Sequence, residues 1–319
     1  MDSMFINFLY AAVLAGVPLL LGTVGEILTQ KSGNLNLGVE GMMYLGAIAG
    51  FAGAYVLDNI LLAVLFGFLG GAFGALIYCF LTVTLKADQN VTGLTLTIFG
   101  TGVANSIGAV MVKASTNNNL TISPSIKEMC KPLEFGFLTQ IPVLGKLVFN
   151  HSFFVYLAVL AAVGVGFYLN RTSWGRNLRA IGENPAAADS AGIPVSRYKY
   201  LHILFGGGLS GIAGTYIVLV TCGGSWTHNA IAGQGWIAVA LVIFAAWKPY
   251  RAIFGSLVFG ALSILRLYLP KSVIDIPPAI FSMLPFVSTS VVLILSSIKM
   301  KKENQQPQAC GVNYFREDR

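Results

Sequence analysis

Long apolar runs separated by short polar segments dominate the chain. A helix needs roughly 20 mainly apolar residues to cross about 30 Å of hydrocarbon. Runs that approach or meet this length lie near residues 5–28, 38–57, 60–85, 91–112, 152–169, 200–220, 233–247, 251–269 and 278–298. The pattern predicts an all-α, polytopic transmembrane bundle of about nine spans, within a range of eight to ten. Because 233–247 is short and 38–57 begins with polar residues, either can be a broken or tilted helix.

The composition is that of a protein whose solvent is lipid. Hydrophobic residues make up 55% of the chain and charged residues 10%, whereas an ordinary soluble domain carries about 25% charged residues. A water-soluble domain of this length is therefore excluded. The four cysteines and three histidines show no metal-type spacing, so the sequence predicts no metal site.

The positions of the basic residues predict the orientation of the spans. Most of them lie in one set of alternate loops and in the tail: Lys31, Lys86, Arg171, Arg176, Arg179, Arg197, Lys199, Lys248, Arg251, Lys299, Lys301 and Lys302. Lys and Arg favour the cytoplasmic side, so nine spans place the N-terminus outside and the C-terminus inside. The chain then divides into a membrane domain 1–298, with an extracellular loop 113–150 and a cytoplasmic loop 170–199, and a cytoplasmic tail 299–319. The net charge of +7 indicates topology, not nucleic-acid binding.

Sequence motifs bear on two kinds of chemistry, ATP hydrolysis and intramembrane serine proteolysis. The sequence has no GxxxxGK[ST] phosphate loop, so if ATP drives this protein, a partner supplies the ATPase. Residues Gly208 to Gly211 spell GxSG inside a span, as in intramembrane serine proteases, which also need a general base beside the serine. His202 lies eight residues before Ser210, about 12 Å along a helix. The sequence therefore favours a non-enzymatic protein.

The cytoplasmic loop contains the signals of a short, self-contained helix over Pro185 to Ala191. Asn184 is a good N-cap, and Pro185 suits the first helical position. Gly192, followed by Ile193 and Pro194, supplies the stop. A helix this short is unstable alone in water, so it orders against something else. The alternatives are an ordinary loop with one helical turn and a helix that docks on a partner, and the capping signals favour docking.

Several long motifs follow one another in the order GEILTQKSGNLNLGVEGMMYLGA (25–47), LTIFGTGVANSIG (96–108), IGENPAAADSAGI (181–193), AAWKPYRAIFGSLVFG (245–260), FSMLPFVSTSVVLIL (281–295) and the terminal ACGVNYFREDR. With these motifs the chain resembles the permease subunits of bacterial nucleoside ABC importers, within the family that includes simple-sugar and branched-chain amino-acid permeases. The resemblance covers nearly the whole chain. The sequence departs from the family pattern at Phe286, Cys310 and Asn313.

This resemblance implies a multi-pass subunit of the bacterial plasma membrane that contacts lipid and binds no cofactor itself. ATP-Mg is expected on a partner ATPase with two nucleotide-binding cassettes, beside a second permease subunit and an extracellular substrate-binding lipoprotein. The residues expected to couple to the ATPase are Gly182, Glu183, Asn184, Pro185, Ala187, Asp189 and Gly192. The alternatives are a sugar or amino-acid permease of the same family and a stand-alone secondary transporter.

A nucleoside path needs hydrogen-bond partners at membrane depth, where polar groups are expensive unless they serve such a path or another helix. The candidates are Thr92, Thr95, Thr97, Asn105 and Ser106 in the fourth span, and Gln234 with Trp236 at the seventh, where an indole can stack on a base. A threonine can instead bond its own helix carbonyl, and Asn105 can bond across a helix interface. Glu26, Asn36 and Glu40 flank the first cytoplasmic turn and suit capping and interface roles better than a proton relay.

Overall fold

The computed structural model describes residues 2–115, 120–133, 136, 145–269, 277–298 and 305–316. Its α-helices are α1 Asp2–Lys31, α2 Val39–Leu57, α3 Ile60–Cys79, α4 Gln89–Ala114, α5 Pro124–Met129, α6 Phe153–Arg171, α7 Ser173–Glu183, α8 Pro185–Ser190, α9 Val195–Tyr216, α10 Gln234–Phe244, α11 Pro249–Tyr268 and α12 Pro278–Ile298. Short π-helical segments extend α3 over Phe80–Thr84 and α9 over Ile217–Thr221, and another covers Gly145–Phe149. The predicted all-α class is confirmed, since the described β pairing is the single bridge between Thr121 and Ser225.

Each predicted apolar run lies in a helix, but the helices differ in length. Seven of them are long and apolar enough to cross a membrane. The helix α10 has 11 residues and extends for about 16 Å, so it crosses only part of the hydrocarbon. The helix α12 runs for 21 residues. The count of about nine spans is roughly consistent with this architecture.

The centre of the bundle is a glycine-mediated crossing of α2, α3 and α9. A Cβ on Gly46 would lie 2.1 Å from the Cα of Gly211, and a Cβ on Gly71 would lie 2.2 Å from the carbonyl oxygen of Gly207. Side chains larger than hydrogen therefore cannot fit between these backbones. Lipid offers no hydrophobic drive for helix association, so close packing of this kind holds spans together.

The bundle has two ends with different structures. The far end brings together the start of α1 and the residues before α5, where Ser123 donates to Asp58 and Tyr268 donates to the carbonyl of Asn7. The loop end carries α7, α8 and the tail segment, defined as residues 305–316. Between the ends, large apolar side chains face outward, including Leu61, Ile98, Leu160 and Phe254, as a lipid-facing surface requires.

Candidate functional site

The loop end begins with α7, which the sequence did not predict. The Thr172 hydroxyl accepts from the Gly175 N–H at 3.0 Å and caps the helix. Leu178 and Ile181 are fully buried against the bundle, while the polar residues of α7 face outward. The sequence SWGRNLRAIGE does place its apolar residues along one face of a helix. The helix was not predicted because the segment is charged and lies outside the long apolar runs.

The helix α8 follows α7 directly and has the caps that its sequence suggests. Asn184 Oδ1 accepts from the Ala187 N–H at 2.9 Å. Gly192 ends the helix with a φ of +82°, and the Ile193 N–H donates to the Ala188 carbonyl at 3.0 Å. Ala188 is buried, whereas the adjacent Ala187 is exposed. One small residue therefore seats α8 on the bundle, and the side of the helix that carries Ala187 is open.

The tail segment folds back onto α7 and α8. The Tyr314 hydroxyl donates to Asp189 Oδ2 at 2.8 Å, and Arg316 Nε lies 3.2 Å from the same oxygen. The Ala309 N–H donates to the Gly182 carbonyl at 2.9 Å. The tail segment thus holds the end of α7 and the outer part of α8 through charge-assisted and backbone hydrogen bonds.

The residues expected to couple to an ATPase therefore divide into two groups. Gly182 is buried, and Asp189 is turned towards the tail segment, with a side chain only 13% exposed. Those on the open surface are Glu183, Asn184, Ala187 and Gly192, and Pro185 is half-buried. Only the second group can meet a partner without a rearrangement.

Asn313 ties the tail segment to the α3–α4 loop. Its Nδ2 donates to the carbonyls of Lys86 at 2.6 Å and Ala87 at 3.1 Å, and its Oδ1 accepts from Gln89 Nε2 at 3.1 Å. Gln89 Oε1 in turn accepts from the Leu35 N–H at 2.7 Å. Partial burial lowers the pKa of the Lys86 ammonium, because desolvation penalises its charged form. The sequence alone indicated only that Asn313 departs from the family pattern, without a role for it.

We expect Asn313→Ala to release the tail segment. The variant loses three hydrogen bonds, each contributing about 1 kcal/mol, so protection of the tail amides from hydrogen exchange should fall by roughly a hundredfold. Hydrogen exchange with mass spectrometry on the purified protein measures this. The neighbouring variant Val312→Ala, at a side chain that is 61% exposed, is the control. Equal protection in both variants would contradict the assigned anchoring role.

A buried polar network joins α1 to the extended segment before α2. Asn36 donates to Glu26 through its backbone N–H at 3.3 Å and its Nδ2 at 3.1 Å, and Gln30 Nε2 donates to Glu26 at 2.9 Å. Trp247 Nε1 donates to Gln30 Oε1 at 2.6 Å. These side chains are satisfied by one another inside the bundle. Glu26 and Asn36 thus fix how the chain enters α2.

Glu40 lies where the N-termini of α2 and α10 meet. Its Oε1 accepts from the Gly233 N–H at 3.0 Å, and a Cβ on Gly235 would lie 2.4 Å from the Glu40 Cα. Its Oε2 is buried and makes no hydrogen bond of normal geometry within the described chain. Two helix N-termini favour a negative charge at this point. Gln234 and Trp236 are half-buried in the first turn of α10.

Glu40 is the second residue of α2, whose 19 residues extend for about 28 Å and end at Leu57. The residues just before this helix, Leu37 and Gly38, pack against Gly93 in the first turns of α4. The Glu40 carboxylate contacts the start of α10, so Glu40 lies at a helix interface near the beginning of its span.

The polar residues of α4 fall on different faces. Asn105 Nδ2 donates to Asn229 Oδ1 at 2.9 Å, and the Asn229 N–H donates back to Asn105 Oδ1 at 3.2 Å. Thr97 Oγ1 donates to the Leu37 carbonyl at 3.1 Å. Thr95 lies on the exposed face of α4 and does not join them. The structure therefore brings Asn105 to the segment that leads into α10 and leaves Thr95 facing outward.

The GxSG residues do not form a nucleophile and base. Ser210 Oγ donates to the Gly206 carbonyl at 3.2 Å in its own helix. His202 uses one ring nitrogen with the Tyr168 hydroxyl at 2.7 Å and the other with the Tyr198 carbonyl at 2.6 Å. Because the two side chains have different partners, the arrangement lacks the hydrogen bond that activates a serine.

A bundle of apolar spans with a half-length helix whose N-terminus meets that of another helix inside the bundle is typical of a membrane transport protein. The chain belongs to the family of permease components of branched-chain amino acid transport systems, whose model matches residues 7–293. It is thus a multi-pass permease component of an ABC transporter.

Individual relatives extend this assignment. The chain is 33% identical over 310 residues to the nucleoside ABC transporter permease protein NupC of Lactococcus lactis, covering 94% of this chain and 93% of that protein. It is 38% identical over 261 residues to a Haloferax volcanii ABC transporter permease protein whose name proposes glucose as substrate, covering 82% and 77%. A solved metal-chelate type ABC transporter in an inward-facing conformation shares the fold, with a TM-score of 0.50, 15% identity, and coverage of 92% and 85%.

Proposed function

We propose that this chain is the membrane-spanning subunit of an ATP-driven nucleoside importer, coupled through α8 to a separate ATPase. The observation that carries the proposal is a capped helix that stands open at the loop end of a protein without a phosphate loop of its own. Its small exposed side chains suit insertion into a groove of the ATPase. The basic loop end is then cytoplasmic, the N-terminus is extracellular, and the host membrane is a plasma membrane.

The exposed face of α4 supports a second permease subunit beside this one. Thr95, Gly102 and Ser106 are exposed there, and a Cβ on Gly102 would meet nothing within 4 Å. Polar and small residues on an outward face are poorly suited to lipid and well suited to a helix partner or a water-filled path. The Asn105–Asn229 pair lies next to this face, so the translocation path is proposed to run between α4 and the partner.

Nucleosides are preferred as substrates because the match to NupC extends along nearly the whole of both chains. Trp236, half-buried at the start of α10, provides an indole face on which a base can stack. A monosaccharide or an amino acid is the alternative within the same family. A substrate-binding lipoprotein outside the membrane is expected to deliver the substrate to the far end.

The proposal is tested by purifying the chain in mild detergent from cells that also express its neighbouring ATPase and permease genes. We expect a stable complex that binds ATP-Mg on the ATPase. In liposomes containing this complex and the binding protein, uptake of labelled nucleoside should require ATP and be inhibited by unlabelled nucleosides. Inhibition by glucose or ribose, without inhibition by nucleosides, would show that the substrate is a sugar and would leave the proposed coupling to the ATPase unchanged.

A proton-coupled carrier is the second candidate, because the Glu40 carboxylate lies where α2 and α10 meet, and its buried Oε2 makes no hydrogen bond within the described chain. This chain reconstituted alone distinguishes the two. Uptake driven by a pH gradient, without ATP or a partner subunit, would overturn the importer proposal. Uptake only by the complete complex with ATP would exclude the carrier.

A further inference from the structure

A basic cavity of about 830 Å³ lies at the loop end between α6, α7 and the start of α11. Its cationic lining consists of Lys31, Arg176, Arg179, Lys248 and Arg251, and its one acidic side chain is Glu183. Within the described chain, the salt bridges do not involve Lys31, Arg176, Arg179 or Lys248. So many like charges around one space repel one another unless an anion lies between them.

The wall of this cavity on the membrane side is apolar. Leu169, Trp247 and Pro249 line it together with the cations, and they lie at the ends of apolar helices. The Tyr250 ring packs over Gly166, because a Cβ on that glycine would lie 2.6 Å from the ring. The cavity is therefore at the boundary between the hydrocarbon and the aqueous end of the bundle.

A separate apolar groove of about 550 Å³ lies along the same helices, further from the loop end. It is lined by Leu160 and Val163 of α6, by Ile253 and Leu257 of α11, and by residues of α1. Ile253 lies four residues after Pro249, which lines the basic cavity, so these two residues share one face of α11. The basic cavity and the groove therefore lie one after the other along a seam between α6 and α11.

We propose that this seam binds one anionic phospholipid, with its phosphate in the basic cavity and an acyl chain in the groove. Arginine pairs with phosphate through two parallel hydrogen bonds, and basic pockets between spans suit anionic headgroups. An acidic surface of the ATPase would also match the charge. It would not use the apolar groove, so the alignment of the cavity and the groove along one seam favours a lipid. The proposal does not depend on the transported substrate.

Native mass spectrometry of the purified, delipidated transporter complex tests this, with phosphatidylglycerol and phosphatidylcholine added in parallel. The double variant Arg176→Gln/Arg179→Gln should bind phosphatidylglycerol about thirtyfold more weakly, since each interfacial basic residue contributes roughly fivefold. Lys113→Gln/Lys131→Gln, which removes two exposed cations at the far end, should leave binding unchanged. Val163→Trp, which fills the groove, should weaken phosphatidylglycerol binding even though the cations remain.

Four results would overturn the proposal. Equal binding of phosphatidylglycerol and phosphatidylcholine, or equal binding by the two double variants, would remove the charge-selective site. Displacement of phosphatidylglycerol by an equal concentration of inorganic phosphate would identify a site for a free anion. Loss of the ATPase from the Arg176→Gln/Arg179→Gln complex, with unchanged lipid binding, would assign the cavity to the protein interface.

Discussion

Replacing Gly211 with valine should prevent the chain from reaching its native packing. A Cβ at this position would lie 2.1 Å from the Gly67 carbonyl oxygen and 2.8 Å from the Gly71 backbone nitrogen. Both obstacles are backbone atoms, so no side-chain rotation relieves the clash, and α9 must move away from α3. Overpacking of this severity costs about 3 kcal/mol or more, a large part of a typical stability of about 5 to 15 kcal/mol.

The measurement is the thermal unfolding of the detergent-solubilised chain, with its yield in the membrane fraction. We expect Gly211→Val to lower the midpoint by about 6 to 12 °C or to abolish accumulation. The matched control is Gly164→Val in α6, where an added Cβ meets nothing within 4 Å. Because both variants place valine in a helix, they share the propensity cost. Similar unfolding midpoints for the two variants would contradict the conclusion that the crossing of α2, α3 and α9 is the centre of the fold.

Replacing Ala187 with arginine should disconnect the permease from its ATPase and leave the permease folded. Ala187 is exposed on α8, whereas the adjacent Ala188 is buried, so a long charged side chain at Ala187 extends away from the bundle. In the proposed complex the same side chain would enter a desolvated groove. Losses at the centre of an interface reach 2 kcal/mol or more, so affinity should fall at least thirtyfold and uptake should fall to background.

Retention of the ATPase on the immobilised permease measures this effect, together with ATP-dependent uptake in liposomes. Thr227→Arg is the control, since it adds the same charge at an exposed position of the far end. Thermal unfolding of both variants should match the parent protein. If Ala187→Arg retained the ATPase and normal uptake, α8 would not be the coupling helix.

The sequence predicted best those features that depend on neighbouring residues. The apolar runs predicted the helices because a span in lipid must bond its own backbone. The α8 helix has its cap, its proline and its terminating glycine within nine residues, from Asn184 to Gly192, and each acts on the adjacent backbone. Because these interactions join neighbouring residues, they can be recognised from the sequence alone.

The sequence was less informative where the partner is distant along the chain. Asp189 was grouped with the docking residues, yet it binds Tyr314 and Arg316 of the tail segment. The Asn105–Asn229 pair joins residues separated by 124 positions, and no periodicity connects them. Polar side chains in an apolar run indicate that a partner exists without identifying it.

By itself, the sequence determined that this is an all-helical membrane protein with a basic loop and a short capped helix. Only the tertiary structure decided that Glu40, at the start of α2, meets the start of α10. It alone also placed the tail segment on α8 and gathered basic residues from α1, α7 and α11 around one cavity. The physical reason is that helix formation satisfies hydrogen bonds within a few residues, whereas these sites are formed by segments that meet only when the helices pack.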